Sequence, residues 1–172
     1  MNLLLAGPPG AGKSTVGRLC AERLGQDLID IDELISARTG KSISAIFSQL
    51  GQDTFRTLEH DAIKHATARD GNVIALGGGA LLDVDNLAMA MAYGPVICLR
   101  ASEESIHARL GEESGRPLLQ RGNGDGIALR NLLRERVSHY DSFALQFNTD
   151  TMTKKRMITA YKKSKESTRG NA

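Results

Sequence analysis

Eight consecutive residues, Gly7-Pro8-Pro9-Gly10-Ala11-Gly12-Lys13-Ser14, match GxxxxGK[ST] and have the make-up of a phosphate-binding loop. Gly10, Ala11 and Gly12 let backbone N–H groups turn toward a polyphosphate, Lys13 brings positive charge to its β and γ oxygens, and Ser14 offers a hydroxyl to Mg²⁺. Thr15 follows in a helical pattern whose N-terminus adds the positive end of its dipole. The competing reading is a Gly-rich turn with a solvated lysine. The flanks speak against it: Leu3-Leu4-Leu5-Ala6 reads as a short buried strand, and Val16, Leu19, Cys20 and Leu24 recur at helical spacing before Gly25.

Five further groups have types and spacings with chemical meaning. Asp27 to Asp32 reads as a strand ending in carboxylates. Residues i and i+2 share a face, so Asp30 and Asp32 would both leave it where an open α/β sheet keeps its ligand crevice. One acid near Mg²⁺ is what phosphoryl transfer needs; Asp32 alone has a second reading as a helix N-cap. Arg56 and Glu59, one helical turn apart, are either a surface pair worth a few tenths of a kcal/mol or a guanidinium held rigid to seize a substrate anion. Gly77-Gly78-Gly79 follow the apolar run Val73 to Leu76, marking a place where backbone approaches something closely or takes φ > 0. From 111 to 126 periodicity disappears and five glycines occur, which reads as a lid over a nucleotide. Arg116 at its base can reach transferring phosphates or can be a solvated loop arginine. Finally, Arg136 shares the apolar stripe of Leu129, Leu132, Leu133 and Tyr140, and an inward arginine needs a carboxylate from the protein or a bound acid.

Other stretches supply the elements that must position these groups. Ile43, Ile46, Phe47 and Leu50 define a helix between Ser42 as N-cap and Gly51 as stop. Phe55, Leu58, Ala62, Ile63 and Ala66 define a second. Leu87, Ala88 and Met91 suggest another helix, and the turn Gly94-Pro95 leads into a strand over Val96 to Leu99. Ser102 with Glu103 and Glu104 opens a further helix, and Phe143 to Phe147 reads as a fifth strand. Beyond Asp150 six lysines and arginines surround a weak helical pattern, before a polar tail at 166 to 172.

Composition bounds the answer. A chain of 172 residues and 18.5 kDa fits one domain. With 22 basic and 20 acidic residues intermixed, its charge makes no case for nucleic acid or a membrane surface. Cys20 and Cys98 fall in apolar patterns and read as core residues suited to a reducing cytoplasm. The expected protein is soluble, with no leader and no apolar run near the ~18 residues of a membrane span. The four histidines show no ligand spacing.

Over residues 2 to 150 the chain resembles shikimate kinase. The likeness rests on the GxxxxGKS loop, the Asp30-Ile31-Asp32 pair, Phe55-Arg56-x-x-Glu59, Gly77-Gly78-Gly79, Arg116-Pro117-Leu118-Leu119, and Glu135-Arg136 followed by Tyr140. It implies an α/β fold of three layers, the P-loop kinase fold with a five-stranded parallel sheet flanked by helices plus a mobile lid. It implies transfer from Mg²⁺-ATP to the 3-hydroxyl of shikimate by a cytoplasmic monomer. By that likeness Arg56 and Arg136 would clamp the shikimate carboxylate, Asp32 would bind the ring hydroxyls and orient or deprotonate the attacking one, and Gly77, Gly78 and Gly79 would line the substrate. Ser14 and, through water, Asp30 would hold Mg²⁺, Lys13 and Arg116 would stabilise the γ-phosphoryl charge, and Arg109 would lie beside adenine. The chain departs from the family pattern at Val137-Ser138-His139, where Asn-Pro-Leu commonly stands, and over 148 to 156. Alternatives are a kinase for another small polyhydroxylated acid such as gluconate, a non-catalytic ATP-binding module, and a nucleic-acid partner for the C-terminal basic cluster.

Overall fold

The structure is a computed structural model, and it describes residues 1–111 and 127–151 together with 156 and 159. Its elements run β1 (Leu3–Ala6), α1 (Lys13–Leu24), β2 (Asp27–Asp30), α2 (Ile31–Thr39), α3 (Ile43–Thr67) and β3 (Asn72–Ala75). A 3₁₀ turn (Ala80–Leu82) follows, then α4 (Val84–Tyr93), β4 (Val96–Arg100), α5 (Glu103–Gly111), α6 (Ile127–Asp141) and β5 (Gln146–Asn148).

All strand pairings are parallel, in the order β2-β3-β1-β4-β5. The expected five-stranded sheet flanked by helices is therefore present. The central strand β1 is apolar throughout because both its faces are covered. Leu4 packs on one side with Ile35, Phe55, Ile63 and Ile74, brought by α2, α3 and β3. Leu3 and Leu5 pack on the other with Cys20, Ala21, Val73 and Leu99. Full burial of one such leucine is worth about 1.5–3 kcal/mol, and both cores share β1. After β1 the chain builds the sheet toward β2 and β3, then crosses to β4 and β5, so the loops after β1 and β3 meet at a topological switch point.

Glycine punctuation follows the sequence. Gly25 ends α1 at φ 62°, and Gly51 breaks α3 into two helices with φ 82° and ψ 172°. Ser42 caps α3 by accepting from the Ala45 amide at 3.1 Å. Cys20 and Cys98 are buried and free, and burial pushes the Cys98 thiol up to about 11.

Two expectations need correction. The strand through Asp32 stops at Asp30, whose Oδ1 accepts from the amides of Asp32 (3.0 Å) and Glu33 (3.4 Å). The cap is thus Asp30, and Asp32 lies in the first turn of α2, because a local side-chain cap outcompetes further strand pairing. The fifth strand is Gln146–Asn148, pairing Phe147 with Leu99, and Phe143 packs instead against the first core. The helix expected from Leu87, Ala88 and Met91 is α4; Asn86 and Ala90 are its buried residues, Leu87 packs against the first core, and Ala88 and Met91 are exposed.

Candidate functional site

The loop from Gly7 to Gly12 joins β1 to α1 with positive φ at Gly7, Gly10 and Gly12, a path that residues with a Cβ rarely take. Gly12 immediately precedes α1, so the unpaired amides of the first helical turn open beside the loop. Lys13 is buried, and its ammonium donates to the carbonyls of Gly7 and Pro8, each at 2.9 Å. It is thereby held folded over the loop it would share with a phosphate. Ser14 Oγ donates to Asp30 Oδ2 at 2.5 Å, so a hydroxyl from α1 meets a carboxylate from the end of β2. Thr15 is exposed on α1.

A second cluster lies across Pro9. Gly77, Gly78 and Gly79 all lack positive φ, so close approach is the reason for this run. A Cβ on Gly77 would lie 2.3 Å from Glu59 Oε1 and 3.6 Å from Asp32 Oδ1; one on Gly78 would lie 2.8 Å from Pro9 Cδ. One on Gly79 would meet Arg56 Nη2 at 2.9 Å and Arg136 Nη1 at 3.0 Å. The glycine loop thus touches the phosphate loop on one side and both guanidiniums on the other. Arg56, Arg136, Asp32 and the three glycines are brought together as the motifs require.

Arg56 pairs with Glu59, yet this is no surface bridge. Glu59 is 1% exposed, and its Oε1 has no hydrogen-bond partner among the described residues. Burial pushes the Glu59 carboxyl up; Arg56 pulls it down, Asp32 raises it and Arg136 lowers it. Arg136 is half-buried on α6, with Leu129, Leu132 and Tyr140 buried on the same helix. The departure at Val137-Ser138-His139 leaves this helix unbroken to Asp141. Tyr140 donates its hydroxyl to the Gly78 carbonyl at 2.6 Å. Burial raises the Tyr140 phenol, while the charge of Arg136 and a hydrogen bond with it pull the other way. His139 is held below its ordinary value, first by burial and then by Arg136. Arg130 and Arg134 face away, Arg130 pairing with Glu103.

Arg109, on α5, donates to the Gly10 carbonyl (3.1 Å) and Thr149 Oγ1 (3.1 Å) and pairs with Asp150 (3.0 Å). Arg116, with most of the expected lid and of the C-terminal basic cluster, lies outside the described residues. The sequence reading overlooked Tyr140 as a tether and, within 148 to 156, gave Thr149 and Asp150 no individual role. A buried tyrosine needs a partner for its hydroxyl, which was a usable signal for the first. The strand boundary misplaced by a few residues hid the others.

Ser14 and Asp30 offer hard oxygen donors suited to Mg²⁺, an ion held by one or two protein groups with the rest of its shell from phosphates and water. Among the described residues no cluster of three or more His, Cys, Asp or Glu is placed to hold a metal by itself.

The site has relatives. The shikimate kinase family model matches residues 9–165. A shikimate kinase from Thermodesulfovibrio yellowstonii is 40% identical over 152 residues, covering 88% of this chain and 87% of that protein. One from Thermobifida fusca is 45% identical over 141 residues, covering 82% and 80%. The solved shikimate kinase from Acinetobacter baumannii, in complex with shikimate, superposes with a TM-score of 0.84 at 35% identity, covering 92% of this chain and 89% of that one. A deoxyadenosine kinase from M. mycoides, at 17% identity and a TM-score of 0.55, shares the fold alone. The chain belongs to the shikimate kinase family and is a phosphotransferase of the P-loop kinase fold.

Proposed function

We propose that this chain transfers the γ-phosphoryl group of ATP to the 3-hydroxyl of shikimate, giving shikimate 3-phosphate and ADP on the way to chorismate and the aromatic amino acids. The observation that carries this reading is the convergence of Arg56 and Arg136 on Gly79, with Asp32 beside Gly77 and the phosphate loop one residue contact away. Two guanidiniums fit a carboxylate; an aspartate fits ring hydroxyls. The relative from Acinetobacter baumannii was solved with shikimate, which agrees in chemistry.

In this mechanism Arg56, held by Glu59, and Arg136 grip the substrate carboxylate. The amides of Gly78 and Gly79, in the loop from Gly77, line the ring. Asp32 accepts a hydrogen bond from the 3-hydroxyl and takes its proton as the oxygen attacks the γ-phosphorus; the bond to the β–γ bridging oxygen breaks and ADP leaves. The amides of Gly10, Ala11, Gly12, Lys13, Ser14 and Thr15 cradle the phosphates. Lys13 gives up its loop carbonyls for phosphate oxygens, and Arg116 adds a second positive charge at the transferring group. Ser14, with Asp30 through water, would hold Mg²⁺, which when bound neutralises charge on the β and γ oxygens. Arg109 lies on the adenine side. Residues 1–172 act as a single kinase domain, a cytoplasmic monomer whose partners are ATP and shikimate. No helix among the described residues is long and apolar enough to cross a membrane.

The test is a coupled assay of ADP release from Mg²⁺-ATP with shikimate, followed by ³¹P–¹H correlation spectroscopy of the product. Phosphate coupled to the proton on C3 is the expected result; ADP release no faster than without acceptor would overturn the reading.

A further inference from the structure

Asp150 is outside every motif above, yet one carboxylate there ties three parts of the nucleotide half together. Its Oδ2 accepts from the Ser102 amide at 2.6 Å, at the entrance to α5. Its Oδ1 receives Arg109 Nη2 at 3.0 Å. The other guanidinium nitrogen, Nη1, donates to Thr149 Oγ1 and to the carbonyl of Gly10, both at 3.1 Å. Thr149 is itself fixed to the end of β4, its amide and hydroxyl both donating to the Arg100 carbonyl at 2.7 and 3.1 Å. The strand exit, the start of α5 and the phosphate loop therefore meet through Arg109.

The contact with Gly10 has a direction. In a trans peptide the carbonyl and the following N–H point opposite ways. A Gly10 carbonyl drawn out to Arg109 turns the Ala11 N–H inward, and that amide is found bonded to the Pro8 carbonyl inside the loop at 3.2 Å. Gly10 also packs on α5, where a Cβ would lie 3.0 Å from Leu110 and 3.2 Å from Ile106. The Ser102 amide, with Arg109 among the further causes, keeps the Asp150 carboxyl below its ordinary range, so it is charged at neutral pH.

We infer that Asp150 is a positioning residue for the nucleotide: by holding Arg109 it fixes the Gly10–Ala11 peptide, and with it the turn that the Ala11 N–H closes onto the Pro8 carbonyl, so that the phosphate loop keeps the shape that receives phosphate. This deepens the reading of residues 10 to 15 as an ATP site and rests on it. Asp150→Asn separates the two duties of the side chain, since an amide oxygen can still accept from Ser102 whereas the charge that orients Arg109 is gone. Arg109→Met removes the other partner and leaves the contact with Ser102 intact.

The experiment is calorimetric titration of Mg²⁺-ADP into wild type, Asp150→Asn, Arg109→Met and the double variant, with thermal midpoints alongside. ADP binding needs no acceptor, so the result stands whether or not shikimate is the substrate. Expected is about a tenfold loss of ADP affinity in Asp150→Asn, the scale of one charge-assisted hydrogen bond, with the midpoint within about 2 °C of wild type. In the Arg109→Met background the same change should cost nothing further. Affinity within twofold of wild type in Asp150→Asn would overturn the inference. So would a full loss repeated in the Arg109→Met background, or a loss matched by a falling midpoint.

Discussion

Tyr140 bolts α6 to the glycine loop: its hydroxyl donates to the Gly78 carbonyl at 2.6 Å, one helical turn beyond Arg136. The arginine and the glycines that would share a substrate are thus held in one frame. Tyr140→Phe removes the bond but keeps the ring. The expected cost is about 1 kcal/mol of stability, with a raised KM for shikimate and an unchanged KM for ATP. Denaturant unfolding and two-substrate kinetics check this; equal rises in both KM values would contradict the tether.

Adjacent glycines should fail differently. In Gly77→Ala the new methyl meets the buried Glu59 carboxylate at 2.3 Å, and the variant should lose stability. In Gly79→Ala the methyl meets the ends of two long side chains at 2.9 and 3.0 Å, which can swing away at the expense of their aim. Here the fold should hold while the shikimate KM rises about tenfold or more. Thermal midpoints and kinetics of the pair distinguish these outcomes.

Glu59 should leave a mark on the pH dependence of stability. Burial raises its carboxyl above the ordinary 4.5, so the folded protein keeps this proton to higher pH than the unfolded chain does. Its contribution is full below 4.5 and is lost as pH rises through the folded value. Glu59→Gln removes that titration. The stability of wild type minus that of the variant should fall across this window, measured by urea midpoints at a series of pH values. A difference that grows with pH would show the Arg56 pairing outweighing burial.

Much of this arrangement was legible in the sequence because it rests on local rules. Positive φ at Gly10 and Gly12, the break at Gly51, and Arg136 on an apolar stripe follow from backbone sterics and helical period. What escaped depends on partners distant in the chain. Alternation placed Asp30 and Asp32 on one strand face, whereas the Asp30 side chain had two amides to satisfy and began a helix. The Arg56–Glu59 pair looked the same on paper whether exposed or buried; only packing against Gly77 decides it. Three glycines were readable as a close approach or a turn, and contact with Pro9, Glu59 and two arginines selects the former.

The two ends of the site should give opposite kinetic signatures. Arg136→Ala removes a charged partner of the acid and should raise the shikimate KM by about 10- to 100-fold with a smaller effect on kcat. Lys13→Met removes charge at the transferring group and should lower kcat by about 100- to 1000-fold at nearly unchanged shikimate KM. Steady-state kinetics with each substrate varied decide the assignment. Unchanged shikimate kinetics in Arg136→Ala would remove it from the clamp.

On the proposed reading, two arginines and an aspartate beside a phosphate loop choose a cyclic hydroxy acid as phosphoryl acceptor. That choice is tested most directly by measuring ADP release from Mg²⁺-ATP against a panel of shikimate, gluconate and shikimate methyl ester. Saturable turnover with shikimate is expected, with little turnover of gluconate and a strongly raised KM for the ester, which has lost the charge that Arg56 and Arg136 would grip. Equal rates for acid and ester, or no acceptor-dependent release with shikimate, would contradict it.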